Sequence, residues 1–228
     1  MTNVAVVTGA GRGIGKAIAL ELARRGLDTV LLARTVEQIE GTAAAVVAMG
    51  RRALAIRCDV SQAKEVAHAA DRALTTMGPP RVVIANAGVV RRALVQDLDE
   101  AAWNEVLDTN LKGVFLTARA FLPAMLAQKR GRVVAIGSIS STLGTAKQSA
   151  YCAAKWGTVG FVKSLAEELR GTGLQAMTVM PGSVDTAMLA GSGFQALMSP
   201  EHVAGVVAYA ALEAPDAMNG SSIEVFGP

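Results

Sequence analysis

The chain has 228 residues, 51% of them hydrophobic and 18% charged, with 23 glycines, few aromatics and a net charge of +3. That balance supplies a large core of Ala, Val, Leu and Ile and argues against disorder. The basic residues are scattered in pairs, Arg24-Arg25, Arg51-Arg52 and Arg91-Arg92, with no aromatic-interleaved stripe, so no nucleic-acid partner is expected.

A first strand over 4–8 (VAVVT) runs into Thr8-Gly9-Ala10-Gly11-Arg12-Gly13-Ile14-Gly15 and then a helix over 14–25. Glycines in such a turn let the backbone approach a pyrophosphate, and the helix N-terminus offers free N–H groups to it. The spacing is GxxxGxG, from Gly9, Gly13 and Gly15, because Ile14 stands where GxGxxG needs its last glycine. A second strand over 28–33 ends Leu32-Ala33-Arg34-Thr35, without the carboxylate that binds the ribose of NAD. Arg34, helped by Arg12, is suited to a 2′-phosphate, which favours NADP(H) over NAD(H).

Helix and strand then alternate: a helix over 36–49, a strand over 53–57, a helix over 62–77, a strand over 81–85, a helix over 100–128 and a strand over 132–137. They are followed by a helix over 150–170, a strand over 174–180, a helix over 201–213 opened by Ser199-Pro200-Glu201, and a strand over 222–226. Most strand runs lack alternation, as strands covered on both faces do. The rhythm predicts one α/β domain spanning 1–228, a Rossmann-like doubly wound parallel sheet of about seven strands with helices on both faces. Cys58 and Cys152 make no metal-ligand spacing, so no metal is expected, and their sparse use fits a reducing compartment. The run at 4–7 is too short for a leader, and no uncharged stretch approaches the ~18–20 residues of a membrane span. A cytoplasmic protein with no membrane partner is the expectation.

Tyr151 and Lys155 in YCAAK stand one helical turn apart, on one face. A cation about 4 Å from a phenol, at an effective dielectric of ~20, is worth up to ~4 kcal/mol. Lys155 is therefore expected to lower the Tyr151 pKa into the range useful for general acid–base catalysis. Ser138 lies thirteen residues upstream of the tyrosine.

Together these motifs resemble the short-chain dehydrogenase/reductase family along essentially the whole chain. The resemblance rests on TGAGRGIG at 8–15, DV at 59–60, ANAG at 85–88, Asn110 in TNLKG, Ser138 in GSIS, YCAAK at 151–155 and PGSVDT at 181–186. It implies that Gly9, Arg12, Gly13, Ile14 and Gly15 hold the cofactor diphosphate, and that Asp59 and Val60 meet the adenine. Asn86, Ala87 and Gly88 would flank the cofactor, and Pro181, Gly182, Val184 and Thr186 would embrace the nicotinamide. Tyr151 would give the carbonyl oxygen its proton, Ser138 would hydrogen-bond the same oxygen, and Lys155 would hold the ribose and tune the phenol. Asn110 would support a water relay.

Within the family, residues 86–115 and 129–141 resemble the 3-oxoacyl-(acyl-carrier-protein) reductases, which implies a small carbonyl compound or acyl thioester as substrate. The 187–199 segment is shorter than the family's usual substrate cover, and IEVFGP replaces its common VDGG-type ending. A promiscuous ketone or diketone reductase, a sugar or polyol dehydrogenase, and a catalytically silent NADP(H) sensor remain alternatives. The apolar residues Leu111, Val114, Phe115, Leu116, Ala120, Phe121 and Leu122 suggest a helix that also pairs with a second copy, giving a tetramer or dimer.

Overall fold

A computed structural model describes residues 3–227. Among the described residues, seven strands form one parallel sheet in the order β3-β2-β1-β4-β5-β6-β7. They are β1 (Val4–Thr8), β2 (Asp28–Ala33), β3 (Ala53–Arg57), β4 (Val82–Ala85), β5 (Gly131–Ile136), β6 (Leu174–Pro181) and β7 (Ser222–Val225). The helices are α1 (Gly13–Arg24), α2 (Val36–Ala48), α3 (Ala63–Met77), α4 (Glu100–Leu107), α5 (Gly113–Gln128), α6 (Ser149–Glu168) and α7 (Pro200–Leu212). The doubly wound α/β expectation is met.

Strand alternation divides the core in two. Val4 and Val6 join a cluster with residues of α3, α5 and α6. Their neighbours Ala5 and Val7 join a second cluster with α1, Ile39 of α2 and α7. Every residue of β1 is buried, because both faces of the sheet are covered. The chain order reverses between β1 and β4, and in open α/β sheets the crevice beyond the strand ends at such a point receives ligands.

The helix expected over 100–128 is not continuous. A π-helical turn at Asp108–Lys112 separates α4 from α5. Such turns interrupt the i→i−4 ladder and leave a backbone group to seek another partner. Here the Asn110 carbonyl accepts from the Thr158 hydroxyl at 3.1 Å. The start of α4 is fixed by Asp99, whose Oδ1 accepts from the Ala102 amide at 2.6 Å. Pro200 opens α7 as expected, and the Ser199 amide donates to Nδ1 of His202.

Candidate active site

A cleft of about 920 Å³ lies over the carboxyl ends of the strands. It is lined by Gly9, Arg12, Gly13, Ile14, Gly15, Arg34, Asp59, Val60, Asn86, Ala87, Gly88, Ser138, Tyr151, Lys155, Pro181, Gly182, Val184 and Thr186. Every residue that the sequence assigned to catalysis or cofactor binding is thus on its wall except Asn110.

At one end, the turn after β1 is packed so tightly that it admits only glycine at key points. Gly9 has φ +66°, and a Cβ on Gly15 would stand 2.2 Å from the Gly9 carbonyl oxygen. Asn86 closes the turn from β4, its Nδ2 donating to the Thr8 carbonyl at 2.9 Å. The Thr8 hydroxyl in turn accepts the amides of Asn86 and Ala87 at 2.9 and 3.0 Å. The first N–H groups of α1 are left without intrahelical partners beside this turn. A Cβ on Gly13 would come within 3.2 Å of the Thr186 side chain, so the turn and the segment after β6 face each other closely. Arg12 and Arg34 are exposed at this end and form no ion pair among the described residues. Free backbone donors, a floor without side chains and two uncommitted cations fit the phosphates of a dinucleotide. Asp59 is less free: its Oδ1 accepts both the amide and the hydroxyl of Ser61.

The other end of the cleft brings together Ser138, Tyr151 and Lys155. Tyr151 and Lys155 share a face of α6 and are buried, at 9% and 4% exposure. Tyr151 packs in a small cluster with Val106, Ala150 and Ala154, backed by Val89, Val90 and Leu111. Ser138 lies two residues beyond β5, its Oγ accepting the Ser140 amide at 3.1 Å, and its side chain bears on the Tyr151 hydroxyl. The Lys155 ammonium donates to the Ile136 carbonyl at 2.6 Å and lies 5.6 Å from the centre of the Tyr151 ring.

The expected drop in the phenol pKa is not what this packing produces. Burial raises the Tyr151 pKa, opposed by the hydrogen bond from Ser138 and, more weakly, by the Arg92 charge. Lys155 answers to the same cause: burial lowers its pKa from 10.5 to about 8. The ammonium is directed at a backbone carbonyl rather than at the hydroxyl, and desolvation penalises the charged form of both groups. At pH 7 the phenol keeps its proton and the lysine is mainly charged, the states a proton donor and its cationic neighbour require.

The sign of the lysine shift carries a prediction. A lysine whose pKa falls on folding opposes folding fully below about pH 8, and the penalty is relieved as pH rises toward 10.5. Lys155→Met is expected to stabilise the cofactor-free protein at pH 7 by on the order of 1–2 kcal/mol, with the gain shrinking toward pH 10. Urea melts at both pH values check this. A variant no more stable at pH 7, or a gain that grows with pH, contradicts it.

Asn110 is fully buried within the π-helical turn, away from the cleft wall. Its Oδ1 accepts the Val89 amide at 2.8 Å and its Nδ2 donates to the Val89 carbonyl at 2.7 Å. A Cβ on Gly88 would stand 2.8 Å from that Oδ1. The side chain therefore clamps the segment after β4 like a paired strand and shapes the wall from behind. Gln148 and Arg92 also line the cleft and were not singled out in the sequence. Gln148, three residues before Tyr151, offered a readable signal. Arg92 offered none, since it reaches the site only through the fold.

This arrangement, a dinucleotide cradle joined to a buried Ser–Tyr–Lys cluster, defines an oxidoreductase of the nicotinamide-dependent Rossmann-like class. The model of the short chain dehydrogenase family matches residues 3–195, and the chain belongs to that family, acting on the alcohol–carbonyl pair. It is 35% identical over 236 residues to a 3-oxoacyl-[acyl-carrier-protein] reductase of Synechocystis sp., covering 99% of this chain and 96% of that one. A solved metagenomic short-chain oxidoreductase in complex with NADP is 36% identical at a TM-score of 0.88, covering 99% and 97% of the two chains. An alcohol dehydrogenase from the archaeon Thermococcus sibiricus, complexed with 5-hydroxy-NADP, is 29% identical at a TM-score of 0.90, covering 99% and 96%.

Proposed function

We propose that the protein reduces a carbonyl to a secondary alcohol with NADPH, its substrate being a 3-oxoacyl thioester or a related small oxo compound. The observation that carries the reading is the continuity of the cleft, which joins the glycine turn and Arg34 to the Ser138–Tyr151–Lys155 cluster. When bound, the nicotinamide supplies the hydride. Gly9, Gly13, Gly15 and the N-terminus of α1 hold the diphosphate, with Arg12 and Arg34 on the 2′-phosphate. Asp59, Val60 and Asn86 to Gly88 flank the adenosine and the middle of the cofactor, and Pro181, Gly182, Val184 and Thr186 cover the nicotinamide side. Ser138 and Tyr151 bind the substrate oxygen together, and the Tyr151 hydroxyl delivers its proton there as negative charge develops. Lys155 steadies the phenolate left behind and orients the ribose. Asn110 maintains the wall that carries Val89.

The named activity of the Synechocystis relative supports the thioester substrate. The cover over the site is short: residues 186–198 are closed at their base by a bridge between Val184 and Met198 and otherwise contain only turns and irregular backbone. An open mouth suits a substrate tethered to a carrier. The exposed Trp103, Phe115, Leu126 and Trp156 around α4–α6 support self-association as a dimer or tetramer. An initial-rate screen with NADPH and NADH against acetoacetyl thioesters, diketones, quinones and sugars tests the assignment. Turnover highest with NADPH and an acetoacetyl thioester is expected. NADPH binding with no turnover on any member would return the protein to a sensing role.

A further inference from the structure

We propose that Arg92 anchors an anionic oxygen group on the substrate, so that the site prefers carbonyl compounds bearing a carboxylate or phosphate beyond the reacting carbonyl. The inference rests on the carbonyl-reductase reading of the cleft and deepens it.

Two adjacent arginines follow β4, and they are not equivalent. Arg91 is neutralised by Glu105 at 2.7 Å. Arg92 forms no ion pair among the described residues, although it lines the same cleft as Ser138 and Tyr151. Its side chain crosses the mouth, donating from Nη2 to the Met188 carbonyl at 2.8 Å and from Nη1 to the Ala190 carbonyl at 3.5 Å. Carbonyl oxygens hold a guanidinium in place without cancelling its charge. A guanidinium has five N–H donors, so donors remain for a planar anion approaching through the mouth. Because the side chain is already braced between the two walls, less ordering is needed when that anion binds. The other charged side chains on the cleft do not compete. Asp59 lies on the nucleotide side and is engaged by Ser61, and Asp185 is exposed and unpaired with Arg92. The Arg92 charge also bears on Tyr151, easing its ionisation.

The anion has two sources: the carboxylate of a small oxo acid, or the phosphate on the pantetheine arm of a carrier-bound thioester. Both are probed by calorimetry on Tyr151→Phe protein, with and without NADPH, so that binding is read without turnover. Acetoacetate is compared with methyl acetoacetate, and acetoacetyl-4′-phosphopantetheine with acetoacetyl-pantetheine. With Arg92 present, the anionic member of at least one pair is expected to bind at least about tenfold more tightly, as charge-assisted hydrogen bonds allow. The pair that shows the preference identifies the source. Arg92→Gln keeps an N–H donor for the loop carbonyls but removes the charge, and should bring both pairs to within about twofold. Equal or absent binding within both pairs with Arg92 present overturns the proposal, as does a preference that survives Arg92→Gln. A protein that shows the Arg92-dependent preference but, with Tyr151 restored, oxidises no NADPH on any substrate would remove the reductase reading and leave the anchor standing.

Discussion

Replacing Tyr151 by phenylalanine is expected to lower turnover by about 10²–10⁴-fold while leaving NADPH affinity within about twofold. The ring fills the same volume among Val106, Ala150 and Ala154, so the packing that holds α6 against the wall survives. Only the hydroxyl is lost, and with it the proton donor proposed for the carbonyl oxygen. Ser138 remains and donates a hydrogen bond, but an aliphatic hydroxyl is a far weaker acid than a phenol. Burial of Tyr151 bears on the pH response as well. A phenol pKa raised by desolvation keeps the donor protonated through neutral pH, so reduction should hold a plateau there and fall only under alkaline conditions. In the oxidative direction the phenolate is the active form, and the same shift makes the rate climb with pH. Steady-state rates in both directions, together with NADPH titration of the variant, check this. Undiminished turnover in Tyr151→Phe would remove the proton-donor role.

Arg34→Ala should weaken NADPH by about tenfold or more and NADH by less than about twofold. Arg34 leaves the end of β2 as an exposed side chain on the cleft and forms no ion pair among the described residues, so its charge is available to a ligand. A 2′-phosphate would receive a charge-assisted hydrogen bond from it, whereas a bare ribose hydroxyl would gain almost nothing. Solvent exposure limits the effect, and Arg12 across the turn retains part of the attraction. Isothermal titration with the two cofactors measures the difference. Equal losses for both would take Arg34 out of phosphate recognition.

Much of this site was legible in the sequence because its parts are local. The glycine turn follows directly on β1, the acid and its lysine are one helical turn apart, and Arg34 closes β2. Elements without internal competition, such as VAVVT and ALAIR, form strands with the expected bounds. What escaped the sequence depends on contacts through space. The helical run over 100–128 contains Gly113 and Pro123, but neither marks a break that begins at Asp108. It breaks because Asn110 clamps Val89 and its carbonyl is bonded by Thr158. The direction of the Tyr151 shift escapes the sequence for a similar reason. Helical spacing puts lysine and phenol on one face, but the Ile136 carbonyl, delivered by β5, captures the ammonium and the surrounding core desolvates both groups. Arg92 shows the same limit, since its partners Met188 and Ala190 lie 96 and 98 residues away.

The account centres on a cleft that brings a nicotinamide and a carbonyl together beside Tyr151. Its most direct test is a single turnover with NADPH deuterated at the reactive face of carbon 4, using the best substrate from the rate screen. One deuterium on the carbinol carbon of the product is predicted for the wild-type protein, with almost none formed by Tyr151→Phe in the same time. Tight NADPH binding with all of the label retained on the cofactor would contradict the account.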